Sequence, residues 1–268
     1  MALNAGHLKD LRALQTPKGR REHGCFLIEG EKLIREAVAA GAPIVELLAT
    51  EARATELALA APQAPTLMSP KDAERLSDTR TPQGCFAVLR DTVPDAESAI
   101  ATLPSAGPAT VVALDGVQDP GNAGALIRVA AAFGAALVLA GPGSADPAQP
   151  KVTRAATGAW FHVTVARSTD LAANLATLAA QGFDVLGASP QGASIWEPSA
   201  SEPVATPAPT RRVLVLGSEG GGFSAPVEAL LTQRVGVPIA PSVESLNVAV
   251  AAGIILGAWS RIPSAQNA

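Results

Sequence analysis

The chain has 268 residues, 48% of them hydrophobic, and a formal net charge of −4. That length and apolar content fit a folded globular protein with two domains, and the negative balance speaks against indiscriminate binding to polyanions. No apolar run reaches the length of a membrane span and the opening MALNAGHLKDLRALQ lacks a signal peptide's apolar centre, so a soluble, cytoplasmic protein without membrane association is expected.

Aromatic residues make up only 3% of the chain and Tyr is absent, so the core must be built from Val, Leu, Ile and Ala. In the N-terminal part the spacing predicts a helix near 4–15, a strand at CFLIEG, a helix from Glu31 and a strand at PIVELLAT. Helices through 51–60 and 70–77 and a closing strand at GCFAVLR complete a small α/β domain. Between His7 and Arg21 the cations Lys9, Arg12, Lys18, Arg20 and Arg21 stand against Asp10 alone. A solvated helix face followed by a loop accounts for them; so does a patch that concentrates phosphate contacts on an acidic protein. Cys25 and Cys85 have no CxxC spacing and read as reduced, buried thiols. His7, His23 and His162 are scattered, which argues against a metal site, and His162 in WFHVTVA reads as a strand residue.

The Pro- and Ala-rich DTVPDAESAIATLPSAGPAT reads as a linker. The expected division is a first domain at 1–94, a linker at 95–107 and a second domain at 108–264. In the second domain strands are predicted at TVVALD, ALVLAG, FHVTVA, FDVLGAS, RVLVLGSEG and RVGVPIA, separated mostly by helical patterns. Strands that are apolar throughout and alternate with helices suggest a parallel sheet covered on both faces, with ligands beyond the carboxyl ends of its strands.

Three polar motifs fall at such ends. In LDGVQDPGNAGALIRVAAAFGA a strand ends at Asp115 and a turn leads into a helix whose only charge is Arg128. A guanidinium there needs an anionic partner or a water-filled cleft, while Asn122 could simply cap the helix. In VLVLGSEGGGFSAPVEALL three successive glycines let the backbone pass close to a ligand, Glu219 stands at the strand's end and Ser224 is the expected helix cap. In PSVESLNVAVAAGIILGAW the polar Ser242, Glu244, Ser245 and Asn247 precede a helix, Val248–Trp259, that reads as buried nearly all round. Capping explains one of the two serines but not Asn247 as well. Gly220, Gly222 and Ala225 also fit a dinucleotide fingerprint, yet they follow the domain's fifth strand rather than its first.

DPGNAGALIR, GSEGGGFS and SLNVAVAAG, in this order, resemble the three signature motifs of the SPOUT superfamily of RNA methyltransferases, specifically its SpoU-type ribose 2′-O-methyltransferases. The stretches LKDLRALQTPKGRREHGCFLIEGEKLIREAVAAG and TPQGCFAVL resemble that group's N-terminal substrate-binding domain, itself similar to small ribosomal RNA-binding proteins. The resemblance implies an α/β protein with a C-terminal knotted (deep trefoil) parallel-sheet methyltransferase domain, acting as a homodimer with S-adenosylmethionine as cofactor and no metal. It implies cofactor contacts at Leu216, Gly217, Ile239 and Leu246, and catalytic or substrate-placing roles for Asn122, Arg128, Glu219, Ser245 and Asn247. Ile239 is followed by APSVE where relatives often carry Met and Gly, a local departure. From Pro108 onward 8 basic residues meet 10 acidic ones, which leaves most RNA affinity to Lys9, Arg12, Lys18, Arg20 and Arg21. The expected substrate is RNA, ribosomal first and tRNA second; a non-catalytic RNA-binding protein of the same fold and a dinucleotide oxidoreductase are the alternatives.

Overall fold

The computed structural model describes residues 3–60, 63–196 and 211–260, without the side chains of residues 59 and 60. The chain starts with α1 (Ala5–Ala13), capped by the Asn4 side chain, which accepts the His7 amide. The basic stretch expected to continue as a loop is instead a second helix, α2 (Pro17–His23), with Thr16 as its cap, Pro17 in its first turn and Gly24 in the left-handed region at φ 60° to end it. Gly19 permits that helix, because a Cβ there would lie 2.0 Å from the Ala13 carbonyl oxygen.

There follow β1 (Cys25–Glu29), α3 (Glu31–Ala39), β2 (Ile44–Thr50), α4 (Glu51–Ala60), β3 (Thr66–Met68), α5 (Pro70–Leu76) and β4 (Cys85–Arg90). The first sheet has the order β1-β4-β2-β3, with β4 antiparallel to both neighbours and β3 parallel to β2. The three-residue edge strand β3 was not predicted, being too short to show a period. Side chains alternate across the sheet: Phe26, Ile28, Leu47 and Ala87 feed the core under α3 and α4, while Leu27, Leu48, Phe86 and Val88 meet α1 and α5.

The expected linker carries α6 (Ala96–Ala101), capped by Asp95, and buries Ala96, Ala99 and Ile100 against the second sheet. The remaining elements are β5 (Ala109–Asp115), α7 (Pro120–Ala132), β6 (Leu137–Ala140), α8 (Pro150–Ala156), a 3-10 turn (Thr157–Phe161), β7 (Thr164–Arg167), α9 (Leu171–Ala180), β8 (Asp184–Ser194), β9 (Arg211–Gly217), α10 (Ala225–Glu228), β10 (Gln233–Gly236) and α11 (Val248–Trp259). Every pairing in the second sheet, ordered β10-β8-β9-β5-β6-β7, is parallel. Val112, Leu114, Leu214 and Leu216 face α7, α8 and α11, whereas Val111, Ala113, Val213 and Val215 face α6, α9 and α10. Both faces of the sheet are therefore covered, which is why its central strands run apolar through Val111–Leu114, Leu137–Ala140 and Val213–Leu216.

Two readings of single elements need correction. His162 is not in a strand: it follows the 3-10 turn, is exposed, and its Nε2 lies 3.2 Å from Glu36 Oε2. Helix α11 buries only one face, through Ala249, Ala252, Ile255 and Leu256, and leaves Val250 51% exposed.

The two sheets meet along a seam. Trp160 packs on Phe26 with ring centroids 5.4 Å apart, and Ala148 enters the core of the first sheet. Arg20, 1% exposed, donates from Nε and a terminal nitrogen to Asp146 Oδ2 at 3.0 and 2.7 Å, while Arg167 bridges Asp146 and Asp91. Burial pushes the Asp146 carboxyl up, but the guanidinium groups of Arg167 and Arg20 outweigh it and hold it below the ordinary carboxylate range. Arg20 is thus removed from the expected RNA-contacting set, since a cation closed off from solvent and spent on a carboxylate has nothing left for a phosphate.

Candidate functional site

The site follows from one register. Strand β9 inserts between β5 and β8, and its last residue, Gly217, pairs with the last residue of β5, Asp115. The two loops that leave the sheet there start side by side at its switch point, where open α/β sheets bind ligands. One loop leads into α7 and the other is the glycine loop.

Asp119, not Asn122, caps α7 by accepting the Asn122 amide at 2.8 Å, which leaves the Asn122 side chain free in the first turn. The glycine loop closes on itself: Ser218 and Gly222 exchange both backbone hydrogen bonds at 3.0 Å, and Gly222 takes φ 65° to make the reversal. Glu219 stands at the tip. Ser224 makes no cap bond to α10; its amide and hydroxyl instead donate to the buried Asp115 at 2.6 and 3.1 Å, so the end of β5 latches the end of the loop.

The third motif closes the arrangement. Neither Ser242 nor Ser245 caps α11. Asn247 does so, its Oδ1 accepting the amides of Ala249 and Val250 at 3.0 and 3.3 Å. That bond fixes the amide's orientation, since an NH₂ cannot accept from the helix. Its Nδ2 must then donate to Asn122 Oδ1, at 2.9 Å, and Asn122 Nδ2 donates to the Glu219 carboxylate. Helix terminus, two amides and carboxylate form one polar chain across the three motifs. Leu216, Gly217, Ile239, Ser245 and Leu246 are brought together around an adjoining cavity of about 430 Å³, within the range of small-molecule sites.

Arg128 is not brought to this chain of amides. Six residues after Asn122, it lies about 9 Å along α7 and about 120° around it, exposed, with the seam between the two sheets in front of it. Of the basic residues, Lys9, Arg12, Lys18 and Arg21 are exposed, and Lys18 lies 3.7 Å from Glu22. Sequence reasoning missed Asp115 as the latch and Ser189, Gln191 and Gly236 as cavity walls. Asp115 and Gly236 end their strands, whereas Ser189 and Gln191 lie within β8, which runs past the predicted FDVLGAS.

The glycine loop also borders a second cavity of about 470 Å³, lined by Gln118 and Asn122, and Gly217, Ser218 and Glu219 belong to the walls of both. The four-residue α10 offers no long helix to receive a pyrophosphate, and the self-closed loop is unlike a dinucleotide turn, so the oxidoreductase alternative is set aside. Among the described residues no group of His, Cys, Asp and Glu is arranged to hold a metal, and no helix is long and apolar enough to cross a membrane.

A doubly covered parallel sheet with a cavity of mixed polar and apolar lining and a polar chain of amides at its switch point defines an α/β protein with a site of small-molecule size. Residues 109–257 match the SpoU rRNA methylase family, and residues 6–87 match the MRM3-like substrate-binding domain. The chain is 34% identical over 250 residues to the 23S rRNA (guanosine(2553)-2′-O)-methyltransferase RlmP of Bacillus subtilis, covering 93% of this chain and 94% of that one. It superposes on the SpoU methyltransferase AviRb of Streptomyces viridochromogenes in complex with AdoMet with a TM-score of 0.81 at 26% identity, covering 96% of this chain and 97% of that one. An AdoMet-bound rRNA methyltransferase from Sinorhizobium meliloti gives 0.79 at 26% identity, covering 96% and 95%. This chain belongs to the SpoU rRNA methylase family.

Proposed function

We propose that the chain transfers the methyl group of S-adenosylmethionine to the ribose 2′-hydroxyl of a nucleotide in RNA, with ribosomal RNA favoured over tRNA. The observation that carries the reading is the shared wall: residues 217–219 line two cavities, one for a methyl donor and one for a nucleotide, with the Asn247–Asn122–Glu219 chain beside them. The relative RlmP is named for this reaction on 23S rRNA, and two structural neighbours carry AdoMet.

The main cavity fits an adenosine. Its lining mixes the apolar side chains of Leu216, Val237, Ile239 and Leu246, and among the described residues no hydrogen bond engages the backbone of Ile239 or Leu246. Apolar walls with free amides and carbonyls suit a flat heterocycle whose edge must be hydrogen-bonded. When bound, the cofactor would supply an electrophilic sulfonium methyl for transfer to a hydroxyl oxygen, with the thioether as leaving group and the hydroxyl giving up its proton. Leu216, Gly217, Ile239 and Leu246 hold it. Asn122 and Asn247, locked by their mutual bond and by the α11 terminus, keep Glu219 oriented toward the incoming ribose, and Ser245 offers a hydroxyl at the cavity's edge. Arg128 positions the phosphate–ribose unit through its guanidinium.

The same reading divides the chain into an RNA-binding unit at 1–94, a connector at 95–107 and a methyltransferase unit at 108–264, of which residues 261–264 lie outside the described ones. Lys9, Arg12, Lys18 and Arg21 supply exposed phosphate contacts. The unit works in the cytoplasm as a homodimer: Val243 and Val250 are exposed by 47% and 51%, and a second copy would cover the apolar outer face of α11. The insertion of β9 between β5 and β8 fits a C-terminal segment threaded as a deep trefoil knot. Mapping ribose-methylated positions in RNA from cells with and without the protein tests the function. One or more sites lost with the protein are expected, and identical maps would overturn it.

A further inference from the structure

We propose that the cavity at the seam of the two units, about 390 Å³, is a phosphate-binding site in which Lys32 and Arg128, with His162 at the edge, hold one backbone phosphodiester of the substrate RNA. It rests on the RNA-methylation reading and extends it to a contact made by both units at once. Lys32 comes from α3 of the first unit, Arg128 from α7 of the second, and His162 from the chain after the 3-10 turn.

Charge is the first argument. Lys32 and Arg128 are exposed and make no ion pair among the described residues, whereas the one carboxylate lining the cavity, Glu36, is already committed to His162. Glu36 is also fixed sterically, since a Cβ at Gly158 would lie 2.4 Å from its Cγ. One helical turn earlier on α3, Lys32 lines the same cavity, and although its i,i+4 spacing puts it near Glu36 it forms no ion pair with it among the described residues. An ammonium and a guanidinium lining one open cavity suit a phosphodiester, whose two non-bridging oxygens can be shared between a point charge and a planar fork.

Backbone strain is the second argument, independent of charge. Thr157, which lines this cavity, is the only described non-glycine residue with positive φ, at φ 53° and ψ −151°. Such a conformation costs about 1–3 kcal/mol and persists where the surroundings impose it, commonly at ligand sites. Here it turns the chain sharply from α8 into the 3-10 turn, which brings Gly158 and His162 against α3. Position is the third argument. Arg128 and Asn122 share α7 about 9 Å apart along its axis, so a phosphate held at the seam registers the RNA relative to the polar chain at the switch point.

The test uses the full-length protein and purified ribosomal RNA, titrated by filter binding between 50 and 200 mM salt (~50–200 mM, the range over which counterion release is read). Lys32→Gln is expected to weaken binding and to reduce the log–log salt slope by about 0.7–0.9, the value of one phosphate contact, while Lys32→Arg restores both. Calorimetric affinity for S-adenosylmethionine and the melting temperature should match wild type. Lys71→Gln, an exposed lysine on α5, serves as the control for net charge and should leave the slope unchanged. Wild-type slope and affinity in Lys32→Gln, or an equal loss in Lys71→Gln, overturns the site. Failure of the methylation reading looks different: the wild type then transfers no methyl group, whatever the slopes show.

Discussion

Replacing Arg20 by Met separates a structural cation from the phosphate contact that the sequence suggests. The change removes two bonds to Asp146 Oδ2, at 3.0 and 2.7 Å, and two from the other terminal nitrogen to the carbonyls of Leu14 and Gln15, at 3.2 Å each. Breaking a buried pair from one side costs about 3–5 kcal/mol. Arg167 still holds the other Asp146 oxygen and Met fills part of the space, so the lower end, about 3 kcal/mol, is expected. For a chain of this size that is a fall in Tm of about 6–12 °C. Thermal and urea unfolding of wild type, Arg20→Met, Asp146→Asn and the double variant should give a non-additive coupling of at least ~1 kcal/mol. Arg21→Met, at an exposed position, should change stability by no more than ~0.5 kcal/mol yet lower the salt slope of RNA binding by about 0.7–0.9. An Arg20→Met protein with wild-type stability and a reduced salt slope would refute the reasoning and return Arg20 to the RNA surface.

The Asp146 carboxyl is held below its unfolded value of about 3.9, so its stabilisation is complete above that pH and is lost as pH falls through the lower folded value. The stability gap between wild type and Asp146→Asn should therefore be constant from about pH 8 to 5 and shrink below about pH 4 in acid titrations. Gly217→Ala places a Cβ 2.6 Å from the Gly222 carbonyl and must displace the glycine loop, so calorimetry should show S-adenosylmethionine bound at least about tenfold more weakly in a folded protein. Unchanged affinity would remove Gly217 from the cofactor wall. Thr157→Gly relieves about 1–3 kcal/mol of strain against about 0.5–1 kcal/mol of added chain entropy, and should raise Tm by a few degrees, roughly 2–4 °C. A lower Tm would mean that the Thr157 conformation is not strained.

What could be read from the sequence divides along physical lines. Long apolar segments were legible: β5, β9 and α11 stand where their patterns put them, because a strand with four successive apolar residues and a twelve-residue apolar helix have few other ways to bury themselves. Short-range chemistry was also legible at Glu219, Asn122 and Asn247, whose polar side chains interrupt apolar runs at strand and helix ends. Their roles were not. Asn247 rather than a serine caps α11, and Ser224 serves Asp115 rather than its own helix, since either choice depends on which loop lies alongside. Arg20 and Arg21 are neighbours of identical type, and only the arrival of Asp146, 126 positions away along the chain, makes one of them a core residue. His162 likewise looked like a strand residue until Thr157 turned the chain before it.

Methyl transfer by the purified chain decides between ribose methylation and the alternatives. The protein is incubated with S-adenosylmethionine labelled in its methyl group and with ribosomal RNA, and the RNA is digested to nucleosides and separated. The account predicts label in a 2′-O-methylnucleoside, and its loss by at least about a hundredfold, on the scale of a lost catalytic contact, in Asn122→Ala with the protein still folded. Label on a base, or none at all from a protein that binds the cofactor, would contradict it.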